Sequence, residues 1–180
     1  MKHIMLDLET MGTKPGSAIT QIGAVDFDLE GNMGEGFSVN ISLRGNADCG
    51  LTFDPDTIGW WLHDDRAEAR RSVFEGPKHD LKRGLQMFSK YVHDVKGQFM
   101  WGNGATFDNV LLTCAYDKVS TDRPWHFRDD RDMRTVVSLA KMMGIDVPWT
   151  RVGVAHVALD DAKTQALYVQ RALKEMRERI

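Results

Sequence analysis

The sequence predicts an α/β fold: a mixed five-stranded sheet with an antiparallel meander at one edge and helices on both faces. Three short apolar segments, joined by turns that contain Gly or Pro, open the chain and are typical of a meander. Helical and strand-like segments then alternate along the rest of the chain. Meander strands followed by this alternation indicate one mixed sheet covered by helices.

The meander is assigned to the first quarter of the chain, where apolar runs alternate with segments that favour turns. In chain order, the predicted elements are a strand at 4–10, a turn at 11–17, a strand at 18–27, a turn at 30–32 and a strand at 36–43. Residues 44–53 show little periodicity, so we expect a loop there.

Helices dominate the remainder, and most have a capping residue at the start or an apolar face. The first predicted elements are a helix beginning at Asp54 and Pro55 with Ile58, Trp61 and Leu62 at helical spacing, a charged helical continuation to Arg71, an amphipathic helix at 80–95 and a buried strand at 98–101. The later ones are a helix containing Val110, Leu111 and Ala115, a short fifth strand within 123–128, a helix from Asp132 to Met143, and a last helix with Ala162, Ala166, Val169, Leu173 and Met176 on its apolar face.

Length and composition are those of one globular domain, which we place at residues 1–180. The hydrophobic fraction of 42% and the charged fraction of 27% are ordinary for a soluble protein. No apolar run approaches the roughly 18 residues of a membrane span, and the first residues lead into a strand instead of a signal peptide. We therefore expect a cytoplasmic protein with no membrane partner.

Charge and cysteine content argue against two further classes of protein. A net charge of −3 disfavours a protein that coats long duplex DNA, although it allows an enzyme that binds the end of a short strand. The two cysteines, Cys49 and Cys114, do not form a CxxC motif. Neither a disulfide framework nor a thiolate zinc site is therefore indicated.

Two acidic residues lie one residue apart at the end of the first strand. Side chains alternate along a strand, so Asp7 and Glu9 share a face, roughly 6.5 Å apart at about 3.3 Å per residue. Their repulsion would raise at least one pKa unless a cation lay between them, and carboxylate oxygens suit Mg²⁺ or Mn²⁺. Taken alone, however, the pair is better explained by a strand that ends at Leu8 and two solvated acids.

Two more acidic positions lie far downstream. Asp108 follows a Gly-rich turn and opens a helix, whose dipole keeps the carboxylate ionised; read alone, it is more often a charge complement to that dipole than a ligand. His156 precedes Asp161 by five residues, so the histidine can lie in the loop before the last helix while Asp161 projects from its first turn. Neither motif is specific by itself.

Together these residues match one chemical task. Cleavage of a phosphodiester requires stabilisation of charge on the attacking and leaving oxygens, which two divalent cations about 3.5 to 4 Å apart provide. Asp7, Glu9, Asp108 and Asp161 could hold two such ions. His156 is suited to accept a proton from the attacking water near neutral pH.

Four motifs carry a family resemblance and occur in order along nearly the whole chain: Asp7-Leu8-Glu9-Thr10, Ile22-Gly23-Ala24, Phe107-Asp108 and His156-x-Ala158-x-x-Asp161-Ala162. In this order and spacing they resemble the DnaQ-like DEDDh 3′-5′ exonuclease family of the ribonuclease H-like superfamily. Within that family, Trp60-Trp61, the run 101–109 and Asp132-x-Arg134-Thr135 are most similar to phage and prophage exonucleases, such as the phage exonuclease A group. A phage-encoded protein would act in the host cytoplasm.

The resemblance implies a ribonuclease H-like fold and a 3′-5′ exonuclease that uses two Mg²⁺ or Mn²⁺ ions. Asp7 would bridge both ions, Glu9 and Asp161 would complete the tighter site, and Asp108 would hold the second ion. His156 would be the general base for hydrolysis of the terminal phosphodiester, which releases a nucleoside 5′-monophosphate. Asp160 is one residue off the family spacing and is left out of the site.

The resemblance also implies contacts with the 3′-terminal nucleotide. The backbone near Thr10 and the side chain of Met11 would meet this nucleotide, with Met11 as a wedge under the last base. Apart from the resemblance, Trp60 or Trp61 could stack on a base or could equally belong to the core, although two adjacent indoles on a helix cannot both face inward. The chain departs from the family where Gln21 replaces an acid of the second strand and where Asn103-Gly104 replaces His-Asn.

Several functions remain open at this stage. The preferred one is an exonuclease on single-stranded DNA 3′ ends, and its nearest rival is an exoribonuclease or oligoribonuclease, since the same metal site accepts either sugar. A non-catalytic module that binds nucleic-acid ends is disfavoured because all four acids and His156 are present. A phosphoesterase for small nucleotides is a further alternative.

Overall fold

The computed structural model describes residues 2–179, and five strands form its central sheet. The strands are β1 (Lys2–Thr10), β2 (Ile19–Phe27), β3 (Phe37–Asn40), β4 (Gly97–Gly102) and β5 (Asp130–Asp132). Their order across the sheet is β3-β2-β1-β4-β5. The β1–β2 and β2–β3 pairs are antiparallel, whereas β4 lies parallel to both β1 and β5. The predicted mixed sheet with a meander at one edge is confirmed.

Seven α-helices pack around this sheet. They are α1 (Leu43–Asp48), α2 (Pro55–Trp61), α3 (Ala67–Phe74), α4 (Leu81–Asp94), α5 (Asp108–Lys118), α6 (Met133–Met142) and α7 (Ala158–Arg177). Short 3-10 turns occupy Asp64–Arg66 and Phe127–Asp129. Within residues 2–179, none of these helices combines the length and the apolar character needed to cross a bilayer.

Side-chain alternation on β1 divides the core into two parts. Ile4, Leu6 and Leu8 point to one face and pack in a cluster with residues of α4 and α5. Met5 points to the opposite face and packs with residues of α6 and α7. Asp7 and Glu9 have the parity of Met5, so the two acids lie on the side of the sheet that α7 covers.

The last helix approaches β2 very closely at one point. A Cβ atom added at Gly23 would lie 2.2 Å from the backbone carbon of Ala158, closer than real Cβ atoms approach such a neighbour. Gln21, two residues earlier on β2, accepts a 2.8 Å hydrogen bond at its Oε1 from the backbone N–H of Ala158. Its Nε2 donates to Asn40 Oδ1 on β3. Gly23 and Gln21 therefore fix the start of α7 against the sheet.

Three elements differ from the sequence-based prediction. The segment expected to be a loop contains α1, because Ser42 Oγ caps the helix and buried Asn46 bonds to both the N–H and the C=O of Ile19. The fifth strand lies at Asp130–Asp132 rather than within 123–128, where the indole of Trp125 is buried and donates to Asp130 Oδ1. The third strand is shorter than 36–43 because the chain enters α1 at Leu43.

The short helix α2 also buries fewer residues than its periodicity predicts. Asp54 caps it as expected, since its Oδ1 accepts from the N–H groups of Asp56 and Thr57. Of the three apolar residues at helical spacing, Trp61 is 3% exposed, whereas Ile58 and Leu62 are 39% and 67% exposed. Trp61 therefore provides the buried contact of α2 with the core, and Ile58 and Leu62 lie on its solvent side.

Substitution of Gly23 by Ala is expected to lower the free energy of unfolding by about 2 kcal/mol or more, because the new methyl group would meet backbone atoms that cannot rotate away. The matched control is Gly59→Ala on α2, where no atom lies within 4 Å of the added Cβ. That change should raise the free energy of unfolding by roughly 0.5 kcal/mol, because alanine reduces the conformational entropy of the unfolded chain. Urea unfolding of both variants measures the difference, and equal stabilities would contradict the close contact.

Candidate active site

Two acidic side chains of β1, Asp7 and Glu9, form the floor of the site. Glu9 is 7% exposed, and its backbone C=O accepts a hydrogen bond from Thr20 Oγ1 on β2. Asp7 is half-buried, and its Oδ1 accepts a 2.7 Å hydrogen bond from Gln165 Nε2 of α7. The strand and α7 thus hold the two carboxylates on one face, as the alternation of side chains requires.

The third acid, Asp108, lies on the helix that follows β4, the parallel neighbour of β1. Asp108 is the first residue of α5 and is 3% exposed. Its Oδ1 accepts a 3.2 Å hydrogen bond from the backbone N–H of Leu8, the residue between Asp7 and Glu9. Since β4 runs parallel to β1, the helix that follows β4 begins at the edge of the sheet where β1 ends. The parallel pairing therefore brings Asp108 to the β1 acids.

The fourth acid and the histidine come from the start of α7. Asp161 Oδ2 accepts a 2.9 Å hydrogen bond from the backbone N–H of His156, and Asp161 Oδ1 is paired with the guanidinium of Arg151. Oxygen or nitrogen atoms of Glu9, His156 and Asp161 all lie within 4.8 Å of one another. The structure therefore brings together all five positions that the sequence selected as catalytic.

The backbone of His156 is unusual. Its φ of 64° falls in the left-handed region, which non-glycine residues rarely adopt. The bond from its N–H to Asp161 holds this conformation in place. Strained backbone is frequent at functional sites, where surrounding contacts maintain it.

Electrostatics show that the acids repel one another. Burial, followed by the charges of Asp108, Glu9 and Asp161, raises the pKa of Asp7 well above its usual value. Burial, with Asp161 and Asp108, raises the pKa of Glu9 to about 8, and burial raises the pKa of Asp108 to about 7. Four carboxylates at this density favour a bound cation, because a cation would stabilise their charged forms.

The residues present fit a hard divalent cation. The donors are carboxylate oxygens from β1, α5 and α7, the ligand type that Mg²⁺ and Mn²⁺ prefer. Beside Asp7, the buried Oε1 of Gln165 has no hydrogen-bond partner among the residues described. An unpaired buried oxygen next to several acids is consistent with a site that is completed by a cation and its water.

A cleft of about 560 Å³ opens beside the acids. Its walls include Leu8, Glu9, Trp60, Phe107 and His156. The indole of Trp60 meets the imidazole of His156 edge to face, with ring centroids 4.8 Å apart, and the guanidinium of Arg66 lies 4.3 Å from the Trp60 ring centroid. The cleft therefore joins an apolar wall to the charged cluster.

The residues predicted to contact the substrate are largely buried beside the acids. Met11 and Trp61 are each 3% exposed and Thr10 is 8% exposed; of the three, Thr10 and Trp61 are among the residues that line the cleft. The indole N–H of Trp61 donates a 3.0 Å hydrogen bond to the backbone C=O of Thr10, which ties these residues into the core. Trp60, whose ring is only partly buried, is the indole that faces His156.

Two nearby acids, Asp160 and Asp132, accept hydrogen bonds from backbone N–H groups. Asp160 Oδ2 accepts a 2.8 Å hydrogen bond from the N–H of Val154 and so holds the loop before α7. Asp132 caps α6, since its Oδ1 accepts from the N–H groups of Arg134 and Thr135. Both placements agree with the sequence interpretation, which left Asp160 out of the site and preferred a cap for Asp132.

Sequence reasoning did not select two residues that contact the acids. Gln165 lies one helical turn after Asp161, and a polar residue at that spacing on the Ala-rich face of α7 is the signal that could have found it. Arg151 lies in the irregular segment between α6 and α7, where no periodicity or motif points to it.

Comparisons with known proteins agree with this geometry. Residues 2–173 match the family model described as the Rv2179c-like 3′-5′ exoribonuclease domain. Among solved structures, cell-death related nuclease 4 (CRN-4) is similar, with a TM-score of 0.68 and 14% sequence identity over 97% of this chain. Product-bound exonuclease I is also similar, with a TM-score of 0.60 and 17% sequence identity over 99% of this chain. This chain covers 64% of the CRN-4 chain and 44% of the exonuclease I chain, less than two thirds of either. No curated protein matches the sequence.

When a chelator removes divalent cations, the free energy of unfolding should fall as the pH rises from about 5 to about 8. The pKa of Glu9 is about 8 in the folded protein and 4.5 in the unfolded chain. The pKa of Asp108 is about 7 in the folded protein and 3.8 in the unfolded chain. The folded protein therefore binds more protons than the unfolded chain in this range and loses stability as they leave. We expect a total loss of about 3 kcal/mol or more.

Addition of Mn²⁺ at the upper end of this pH range should recover the lost stability, because a cation replaces the protons. Asp7→Asn, which removes one of the four charges, should flatten the pH dependence. Chemical unfolding at a series of pH values measures both effects. A stability that stays constant or rises over this range in the chelator would show that the four acids do not repel one another as inferred.

Proposed function

Because the chain belongs to the Rv2179c-like 3′-5′ exoribonuclease domain family, we propose that it is a metal-dependent 3′-5′ exonuclease. It hydrolyses the terminal phosphodiester of single-stranded nucleic acid and releases nucleoside 5′-monophosphates. The observation that carries this proposal is the convergence of Asp7, Glu9, Asp108, His156 and Asp161 at one end of the cleft.

Asp7, Glu9, Asp108 and Asp161 would hold two divalent cations, Mg²⁺ or Mn²⁺. When bound, such ions stabilise the charge that develops on the attacking and leaving oxygens of a phosphodiester. Asp7 is suited to the central position, since the charges of all three other acids act on it. The assignment of two ions rests on this number of carboxylates and on the family resemblance.

His156 would accept the proton of the attacking water. Burial lowers the pKa of its imidazole, and the charges of Arg66 and Arg151 act in the same direction, while Asp161 opposes them. The ring is therefore neutral near pH 7, as a general base must be. Contact with the Trp60 indole limits how far the imidazole can turn. Asp161 contributes to the same geometry by holding the His156 backbone.

The lining of the cleft supports a substrate that is the end of a strand. Its lining includes the buried residues Thr10 and Trp61 and the apolar and aromatic side chains of Leu8, Trp60 and Phe107 next to the acids. A terminal base can pack on such a wall, because every base has a face that stacks on aromatic rings. We therefore assign the substrate as a single-stranded 3′ end.

The sugar is the point on which two observations differ. The resemblance to phage and prophage exonucleases, which remains a prediction, favours DNA. The description of the matching family favours RNA, so an exoribonuclease or oligoribonuclease is the second candidate. Both use the same acids and the same base, since the 2′-hydroxyl lies outside the reacting phosphodiester. A cytoplasmic location also remains a prediction.

Asp161→Asn is expected to lower the rate of 3′-end degradation by roughly three orders of magnitude or more, because it removes a charge that the cations require. The matched control is Asp160→Asn, since an amide oxygen can still accept the N–H of Val154. That variant should stay within about twofold of the parent, as expected for a change outside the site. Turnover of 5′-labelled DNA and RNA oligonucleotides of the same sequence, with Mg²⁺ or Mn²⁺, measures these rates.

The same assay on the parent protein compares the two sugars directly. Faster loss of nucleotides from the DNA strand supports the DNA proposal, and faster loss from the RNA strand supports the second candidate. If the parent leaves both strands intact with either metal, the proposed function is refuted. If the parent is active and Asp161→Asn retains its full activity, the assigned metal site is refuted.

His156→Ala is expected to lower the rate at neutral pH by roughly two to four orders of magnitude, with partial recovery at higher pH as hydroxide replaces the base. Asp161→Asn should not show this recovery, because hydroxide cannot replace a ligand. Rates measured for both variants from about pH 6 to about pH 10 separate the two roles. A pH profile of His156→Ala parallel to that of the parent would argue against a general base at this position.

A further inference from the structure

Arg151 is the cation that contacts the acid cluster in the part of the chain that the structure describes. Its Nη1 pairs with Asp161 Oδ1, and its Nη2 donates a 2.8 Å hydrogen bond to the backbone C=O of Val154. Its positive charge also acts on Glu9 and His156. The guanidinium therefore lies beside three of the five residues assigned to the active site.

The pairing with Asp161 conflicts with the role assigned to that carboxylate. The Oδ2 atom of Asp161 is engaged by the His156 N–H, and Oδ1 is engaged by Arg151. A divalent cation that binds Asp161 through Oδ1 would compete with the guanidinium for the same oxygen. Two positive groups on one carboxylate oxygen also repel each other. Cation binding should therefore displace Arg151.

One N–H group of the Arg151 guanidinium has no hydrogen-bond acceptor among the residues that the structure describes. This group is the Nε–H, which is buried. Arginine binds a phosphate most effectively with two parallel N–H groups, often Nε–H together with one Nη–H. The side chain is 30% exposed and belongs to the irregular segment before α7, so it can turn without disturbing a helix or strand.

We propose that Arg151 is a phosphate-binding residue that is held on Asp161 until a divalent cation takes its place. The displaced guanidinium then binds a phosphate oxygen of the 3′-terminal nucleotide, which the acids and the cation hold nearby. This inference rests on the proposed function, because it requires a cation on Asp161 and a phosphate in the cleft.

The first measurement is Mn²⁺ binding by calorimetry in the absence of nucleic acid. Arg151→Gln should bind Mn²⁺ about fivefold more tightly than the control Arg134→Gln, the scale of one partly exposed ion pair. Arg134 is a matched control, since its charge acts on Asp108 while its Nε donates to Asn103 Oδ1. Both variants lose one positive charge near the acids, and only the first loses the bond to Asp161. Equal affinities would overturn the competition.

The second measurement is binding of a nucleoside 5′-monophosphate at saturating Mn²⁺. Arg151→Gln should bind it roughly tenfold more weakly than the parent, the effect of losing a charge-assisted pair to phosphate. Tighter binding of Mn²⁺ together with weaker binding of the nucleotide is the expected signature. A damaged fold would weaken both. Unchanged nucleotide affinity would overturn the phosphate role.

Arg151→Lys provides a second variant if Arg151→Gln does not fold. It keeps the charge and loses the paired N–H groups, so it should bind Mn²⁺ more tightly and the nucleotide more weakly than the parent, each by less than the change expected for Arg151→Gln. Affinities equal to those of the parent would overturn the proposal. If the parent itself neither binds Mn²⁺ nor degrades oligonucleotides, the proposed function fails; if the parent does both and the Arg151 variants behave like Arg134→Gln, only this inference fails.

Discussion

Repulsion among four carboxylates at one edge of the sheet is the constraint on which the rest of the structure depends. Burial and then the charges of the other acids raise the pKa values of Asp7 and Glu9, and burial raises the pKa of Asp108. Residues selected only for stability would not be arranged in this way, since solvated or apolar residues would relieve the repulsion. The fold must therefore hold the acids in place by contacts made elsewhere. A cation that binds between the carboxylates relieves their repulsion, and this relief adds to the free energy of cation binding.

Those contacts are made by the backbone and by uncharged side chains. Parallel pairing of β4 with β1 sets Asp108 beside Leu8. Gly23 permits α7 to approach the sheet at Ala158, and the small residues on the inner face of α7 continue that close packing. Glycine and alanine are needed here because larger side chains would lift the helix and move Asp161 away from Glu9. Packing, rather than attraction between the site residues, thus determines the geometry.

The sequence predicted the features that depend on local rules. Alternation on β1 placed Asp7 and Glu9 on one face, and the capping residues Asp54 and Asp132 marked two helix starts. Features that depend on tertiary contacts were missed. Helix α1 forms because Asn46 bonds to β2, and Trp125 belongs to the core rather than to a strand. Arg151 was not selected because an irregular segment carries no periodicity that could reveal its partner.

The identity of residue 21 has one further consequence. The DnaQ-like sequence pattern predicts an acid in this strand, whereas Gln21 joins β2 to the start of α7 with an amide that accepts from Ala158 and donates to Asn40. An amide does not ionise at any physiological acidity. The link that Gln21 makes between β2, β3 and the start of α7 therefore does not depend on whether the neighbouring acids are protonated, ionised or metal-bound. At this point the scaffold is insulated from the titration of the acids that it positions.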